Sequence, residues 1–226
     1  MPAASIDEIY LDVETLRYSD EVPGEWDNVE IFGLSVAVTY DLRHGFRTWC
    51  EADARNLITE LSSCNRIITF NGERFDFRVL SFYGPVHRLY SNSFDLCELV
   101  RIIHGSRCSL SRLSRATLHR GKRMFSHPRY KGLEVVELWK VGETGRVARY
   151  CQNDVQLLVD LVSHIRSHGF LVVQGRREEF PWHLALRANK DRERAFAPNW
   201  KHMLGTWLKK LIQLPLKLKL FIQSKV

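Results

Sequence analysis

The stretch from Ile9 to Leu16 constrains this chain more than any other. Ile9, Leu11 and Val13 alternate with Tyr10, Asp12 and Glu14, the period-two pattern of a strand with two unlike faces. Asp12 and Glu14 are two residues apart, so they project from one face, about 6–7 Å apart along the strand. Two acids side by side on an otherwise apolar strand repel each other and lose hydration. A shared hard cation relieves both problems, because carboxylate oxygens suit Mg²⁺ or Mn²⁺. A polar strand edge facing water satisfies the same pattern, so other segments must decide.

A length of 226 residues allows one sizeable core and a small appendage. The five cysteines (Cys50, Cys64, Cys97, Cys108 and Cys151) are odd in number, scattered, and without a Cys-x-x-Cys pair. That favours reduced thiols and a cytoplasmic setting over a disulfide framework or a zinc knuckle. The chain opens without a basic stretch and apolar run, so no secretory signal is expected. No apolar run approaches the roughly 20 residues of a membrane span. Charge is divided unevenly. Residues 1–100 carry eight Lys/Arg against seventeen Asp/Glu, residues 101–165 twelve against five, and residues 166–226 thirteen against four. An acidic first half followed by a basic second half suits a polyanion steered onto a metal-loaded acidic site. A solvated basic surface is the plainer alternative.

Periodicity then orders the chain. Arg17–Asn28 reads as a loop, Val29–Tyr40 as a long strand, Asp41–Gly45 as a turn and Phe46–Trp49 as a returning strand. A helix is expected within Glu51–Ser63, a buried strand at Arg66–Phe70 and a turn at Asn71-Gly72. A helix over Phe75–Tyr83 and a strand over Leu89–Phe94 come next. Helices over Leu96–Ile103 and Leu110–Leu118 follow, then a basic loop at Lys122–Gly132. Thr144–His168 reads as the longest helix, and Phe170–Val173 as a strand. The expected class is α/β, a mixed sheet of three antiparallel and then parallel strands flanked by helices.

Two further acids sit in structured contexts. Asp76 follows the Ile67–Phe70 strand through Asn71-Gly72-Glu73-Arg74-Phe75, placing it in the first turn of a helix at the mouth of the sheet. The helix N-terminus alone would stabilise it there. Asp154 lies in Tyr150-Cys151-Gln152-Asn153-Asp154, on the edge of the long helix's apolar stripe, where a carboxylate must find a partner or protonate. Tyr150 is one turn earlier on the same face.

Asp12, Glu14, Asp76 and Asp154, in that order and setting, with the Tyr-x-x-x-Asp spelling of the last motif, resemble the DEDD superfamily of 3′–5′ exonucleases. The tyrosine points to the DEDDy branch, which includes the proofreading domain of B-family DNA polymerases and related stand-alone or helicase-associated exonucleases. The resemblance covers residues 9 to about 173 and implies a ribonuclease-H-like fold. It implies two divalent cations, Mg²⁺ or Mn²⁺: Asp12, Glu14 and Asp154 would hold one, while Asp12 and Asp76 would hold the other. It further implies that Tyr150 orients the attacking water, that Asn71 lies near the substrate, and that Thr15 and Leu16 lie beside the terminal base. Glu73-Arg74 departs from the family pattern, which favours small or apolar residues there.

The implied activity is metal-dependent release of nucleoside 5′-monophosphates from single-stranded 3′ ends, with DNA favoured over RNA and repair as a setting. A helicase or polymerase partner fits that reading. An internally cutting enzyme of the same fold and a non-catalytic nucleic-acid adaptor are the alternatives. Asp95 and Glu98 have the form of a helix capping box, although Asp95 would also serve as a fifth acid. His164 and His168 share a helix face but have no third ligand nearby. Arg107, Arg112, Arg115, Arg120, Lys122, Arg123, Arg129 and Lys131, interleaved with Phe125 and Tyr130, suit single-strand binding or a solvated loop. The exonuclease domain is expected over residues 1–175. A basic extension, 176–226, would carry an amphipathic helix at Trp200–Ile212, ended by Pro215, and a strand at Leu216–Phe221. That helix would pack on its own domain, dock on a partner or touch an anionic membrane peripherally.

Overall fold

A computed structural model of the protein describes residues 7–120, 133–180 and 182. Strand β1 (Glu8–Thr15) lies in the middle of a five-stranded sheet. On one side β2 (Leu34–Asp41) runs antiparallel to it, and β3 (Gly45–Cys50) antiparallel to β2. On the other side β4 (Arg66–Thr69) runs parallel to β1, and β5 (Ser93–Asp95) parallel to β4. The order is therefore β3-β2-β1-β4-β5, the mixed sheet expected of the class.

Helix α1 (Ala54–Ser63) leads from β3 to β4, while α2 (Asp76–Leu80) and α3 (His87–Ser91) lie between β4 and β5. After β5 come α4 (Leu96–His104), α5 (Leu110–Leu118), α6 (Leu133–Lys140) and the long α7 (Thr144–His168). A hairpin of β6 (Phe170–Val173) and β7 (Arg176–Glu179) forms a separate two-stranded sheet.

The alternation of β1 sorts its side chains into two cores. Ile9, Leu11 and Val13 pack with Leu57, Ile58 and Leu61 of α1 and Phe77 of α2. Tyr10 faces the other way, with Ile68 and Phe94, against Val147, Cys151, Val155 and Leu158 of α7. Each Leu, Ile or Val taken fully out of water stabilises the fold by about 1.5–3 kcal/mol, so both faces of the sheet are firmly covered. Asp12 and Glu14 share the Tyr10 face and lie nearer the end of the strand, where α7 crosses it.

Several local expectations need correction. The long strand begins at Leu34, not Val29; residues Glu25–Ile31 wind as 3₁₀ turns. Val29 and Phe32 still reach the core, so their burial mimics strand alternation. Gly33 makes the break, with a φ of +75°, and a Cβ there would lie 2.8 Å from Leu16 Cδ1. Leu89 belongs to α3, leaving only Ser93–Asp95 extended. The helix after β4 is shorter than Phe75–Tyr83, ending at Leu80. No element was expected at Leu133–Lys140, which forms α6.

Phe170–Val173 is a strand, but it pairs with β7 outside the main sheet. The connecting Gln174-Gly175 has positive φ at both residues (50° and 80°), the conformation that tight hairpins require. The expected boundary after residue 175 falls at this turn. The Lys122–Gly132 loop, the Trp200–Ile212 helix and the Leu216–Phe221 strand lie outside the described residues. Among the described residues no helix is long and apolar enough to cross a membrane.

Candidate active site

The acids of β1 meet α7 through one buried side chain. Cys151 Sγ donates to the main-chain oxygen of Asp12 at 3.3 Å. A carboxylate oxygen of Asp12, one of Glu14 and the sulfur of Cys151 all lie within 4.8 Å of one another. Asp154, three residues beyond Cys151 and on the same side of α7, is buried, and its charge also acts on the thiol. Burial first, then the charges of Asp12, Glu14 and Asp154, push the Cys151 thiol well above its ordinary pKa.

Asp76 enters from the other side of β1. It is the first residue of α2 and is buried. Burial raises its pKa well above the usual carboxylate range, with the Asp12 charge next in importance and Asp95 also contributing. Hydrogen bonds from the amides of Asp76 itself and Val13 oppose the rise. Asp76 Oδ1 has no hydrogen-bond partner among the described residues. The charges of Asp12, Glu14 and Asp154 thus act on Cys151, and that of Asp12 on Asp76, linking acids from three remote segments.

The turn that delivers Asp76 is held tightly. Asn71 takes a positive φ of 71°, a conformation asparagine tolerates better than most residues. Its amide donates to Asp95 Oδ1 at 2.9 Å, and the Glu73 amide to Asp95 Oδ2 at 3.3 Å. At Gly72 a Cβ would lie 2.5 Å from Thr69 Cβ, so only glycine fits.

Asp95 does cap α4, accepting from the amides of Cys97 (3.0 Å) and Glu98 (3.2 Å). The single residue therefore fixes both the helix and the Asn71 turn. Burial pushes its pKa to about 6, against the amides that donate to it. The Glu98 carboxylate pairs with Arg101 and Arg107.

The weaker candidates separate. Tyr150 is half-buried against the α7-side core, one turn before Asp154. Thr15 is buried, with its hydroxyl donating to the Arg17 carbonyl at 3.1 Å, so that hydroxyl serves the end of β1. Leu16 leans on Gly33 and its amide donates to the Gly33 carbonyl at 3.0 Å. Between Glu14 and Thr15 the pairing with β2 slips past Ser35, a bulge of the kind that re-aims side chains beside active sites. The His164 and His168 rings stack at 4.3 Å and pack against Phe170, which accounts for their spacing without a metal.

The chain matches the RNase_H superfamily over residues 9–168. It belongs to that superfamily. The match runs from β1 to the end of α7 and contains all four acids. No curated protein matches the chain. Membership in the RNase_H superfamily goes with a nuclease-type function, a nucleic-acid substrate and use of divalent metal.

The donor set fits such a metal. Asp12, Glu14, Asp76 and Asp154 offer hard carboxylate oxygens, the ligands Mg²⁺ and Mn²⁺ prefer. Burial and the neighbouring acids push the Cys151 thiol well up, which disfavours the thiolate that a soft metal needs. The orphaned Asp76 oxygen is a buried acceptor of the kind that a cation or its water would satisfy. Sequence reasoning missed Cys151 as the link between β1 and α7, although it stands on the same buried stripe as Asp154. It also missed the grip of Asp95 on Asn71, because a pairing between residues 24 apart leaves no periodic signal.

Proposed function

We propose that the protein is a metal-dependent 3′–5′ exonuclease of the DEDDy type, removing nucleoside 5′-monophosphates from single-stranded ends, DNA in preference to RNA. What supports this reading is the electrostatic linkage of Asp12, Glu14, Asp76 and Asp154 around β1 and α7, with Tyr150 one turn before Asp154 on α7. Asp12, Glu14 and Asp154 would hold one divalent cation, and Asp12 with Asp76 a second. Two such ions, when bound, activate a water and stabilise the departing 3′ oxygen in an in-line displacement.

The chain's own residues supply the rest. The Asp12 and Glu14 carboxylates, fixed on the central strand of the sheet, would hold the cations and through them set where the scissile phosphate binds. The Tyr150 hydroxyl orients the attacking water by hydrogen bonding, so its oxygen matters more than its ring. Leu16 and Asn71 flank the place where the terminal nucleotide lies.

Single-stranded DNA and RNA oligonucleotides labelled at either end, together with a circular single strand, test the reading in Mg²⁺ or Mn²⁺. Mononucleotide release from linear 3′ ends, an intact circle and an inactive Asp12→Asn variant are expected. An opened circle would make the protein an endonuclease. No product from folded wild-type protein would remove the catalytic reading altogether.

A further inference from the structure

Arg107 reaches from the α4–α5 connection to the Asn71 turn that leads into Asp76. Its Nη1 donates to Asn71 Oδ1 at 2.8 Å and its Nη2 to Glu98 Oε2 at 2.7 Å. Glu98 in turn accepts from Arg101 Nε at 2.9 Å. The Asn71 backbone is fixed independently, by its amide's bond to Asp95 and by its left-handed conformation.

A guanidinium has donors only. The Asn71 atom facing Arg107 must therefore be the carbonyl oxygen, which sets the orientation of the whole side-chain amide. The NH₂ group is left on the other side, and it donates to no described residue. We propose that Arg107 is a positioning residue that presents Asn71 to the nucleic acid purely as a hydrogen-bond donor. The ligand atom it suits is a hydrogen-bond acceptor, a phosphate or sugar oxygen at the strand end. This rests on the proposed function, since it assumes that a strand end lies over the Asn71 turn.

Anisotropy of a labelled single-stranded oligonucleotide, measured in Ca²⁺ near physiological salt, reads binding without cleavage. Arg107→Met and Asn71→Ala should each weaken binding about tenfold, the scale of one charge-assisted hydrogen bond. Arg107→Lys should recover part of the loss. Because Arg107 acts through Asn71, adding Arg107→Met to Asn71→Ala should weaken binding no further. Mn²⁺ affinity without nucleic acid should stay unchanged in Arg107→Met, which also shows the variant folded.

Wild-type binding by Arg107→Met would overturn the assignment. So would a loss that carries over in full into the Asn71→Ala background, because Arg107 would then touch phosphate itself. Wild-type protein that binds no single strand would instead overturn the proposed function, and this assignment with it.

Discussion

The Cys151 thiol donates to the main-chain oxygen of Asp12 across 3.3 Å, fastening the N-terminal third of α7 to the central strand. With its side chain fully buried, Cys151 sets how closely the helix approaches the acids of β1. A larger residue at 151 must push α7 away and carry Asp154 with it. Cys151→Leu should lose about 1–3 kcal/mol of stability, the usual cost of overpacking, and bind Mn²⁺ more weakly. Urea unfolding and calorimetric titration check the two effects. Unchanged metal affinity would mean that the β1–α7 spacing does not govern the site.

Burial and the Asp12 charge give Asp76 a sign-definite pH signature. Its folded pKa is raised, so the stability it contributes is present below the unfolded value, about 3.9, and is lost as pH climbs through the folded value. Asp95, raised to about 6, acts in the same direction between about 4 and about 6. In EDTA, Asp76→Asn should therefore gain stability relative to wild type as pH rises from about 4 to 8. Saturating Mg²⁺ should shrink or reverse that gain by stabilising the charged carboxylates. Urea melts across this range measure it, and a pH-independent gap would contradict the assignment.

Gly72 is fixed by contact rather than by its backbone angle. A methyl group there would overlap the Thr69 side chain, with its Cβ 2.5 Å from Thr69 Cβ. Gly72→Ala should cost about 1–3 kcal/mol and shift the Asn71–Asp76 turn, lowering both stability and nuclease activity. Thermal unfolding and 3′-end assays check both. Wild-type activity in a destabilised variant would show that the turn's position is not critical.

Tyr150→Phe keeps the ring's packing against the core while removing the hydroxyl. It should slow single-turnover cleavage about 10²-fold or more, the lower end for a positioned group in proton-transfer chemistry, while leaving oligonucleotide binding within about twofold of wild type, under ~0.5 kcal/mol. Equal losses in binding and rate would make the tyrosine a packing residue.

Much of this was legible from residue patterns, and the exceptions share a cause. The alternation of Ile9–Glu14 identified β1 and put both acids on one face, because a strand's period depends only on local sequence. The stripe from Val147 to Ile165 identified α7 with the bounds Thr144–His168, since its apolar spacing continues until Gly169. Where short segments bury residues without a period, the pattern misled. Val29 reaches the core from a 3₁₀ turn and Phe32 from the residue that ends it, while Leu89 does so from a single helical turn. The all-charged Arg176–Glu179 strand offers no apolar alternation at all.

The same distinction holds at the site. The placement of the four acids on β1, α2 and α7 was readable because each stands at a definite place on a regular element. The electrostatic coupling among them, the Cys151 link and the Arg107–Asn71–Asp95 network depend on packing between distant segments. Spacing along the chain says nothing about such contacts. The bulge beside Glu14 is likewise invisible, because Ser35 fits an unbroken strand equally well.

The central claim is that these carboxylates form one divalent-cation site, and calorimetric titration with Mn²⁺ tests it most directly. Saturable binding is expected for the wild-type protein, with severe loss in both Asp12→Asn and Asp154→Asn while each variant keeps its circular dichroism spectrum. Folded wild-type protein that takes up no Mn²⁺, or undiminished binding in both variants, would contradict the account.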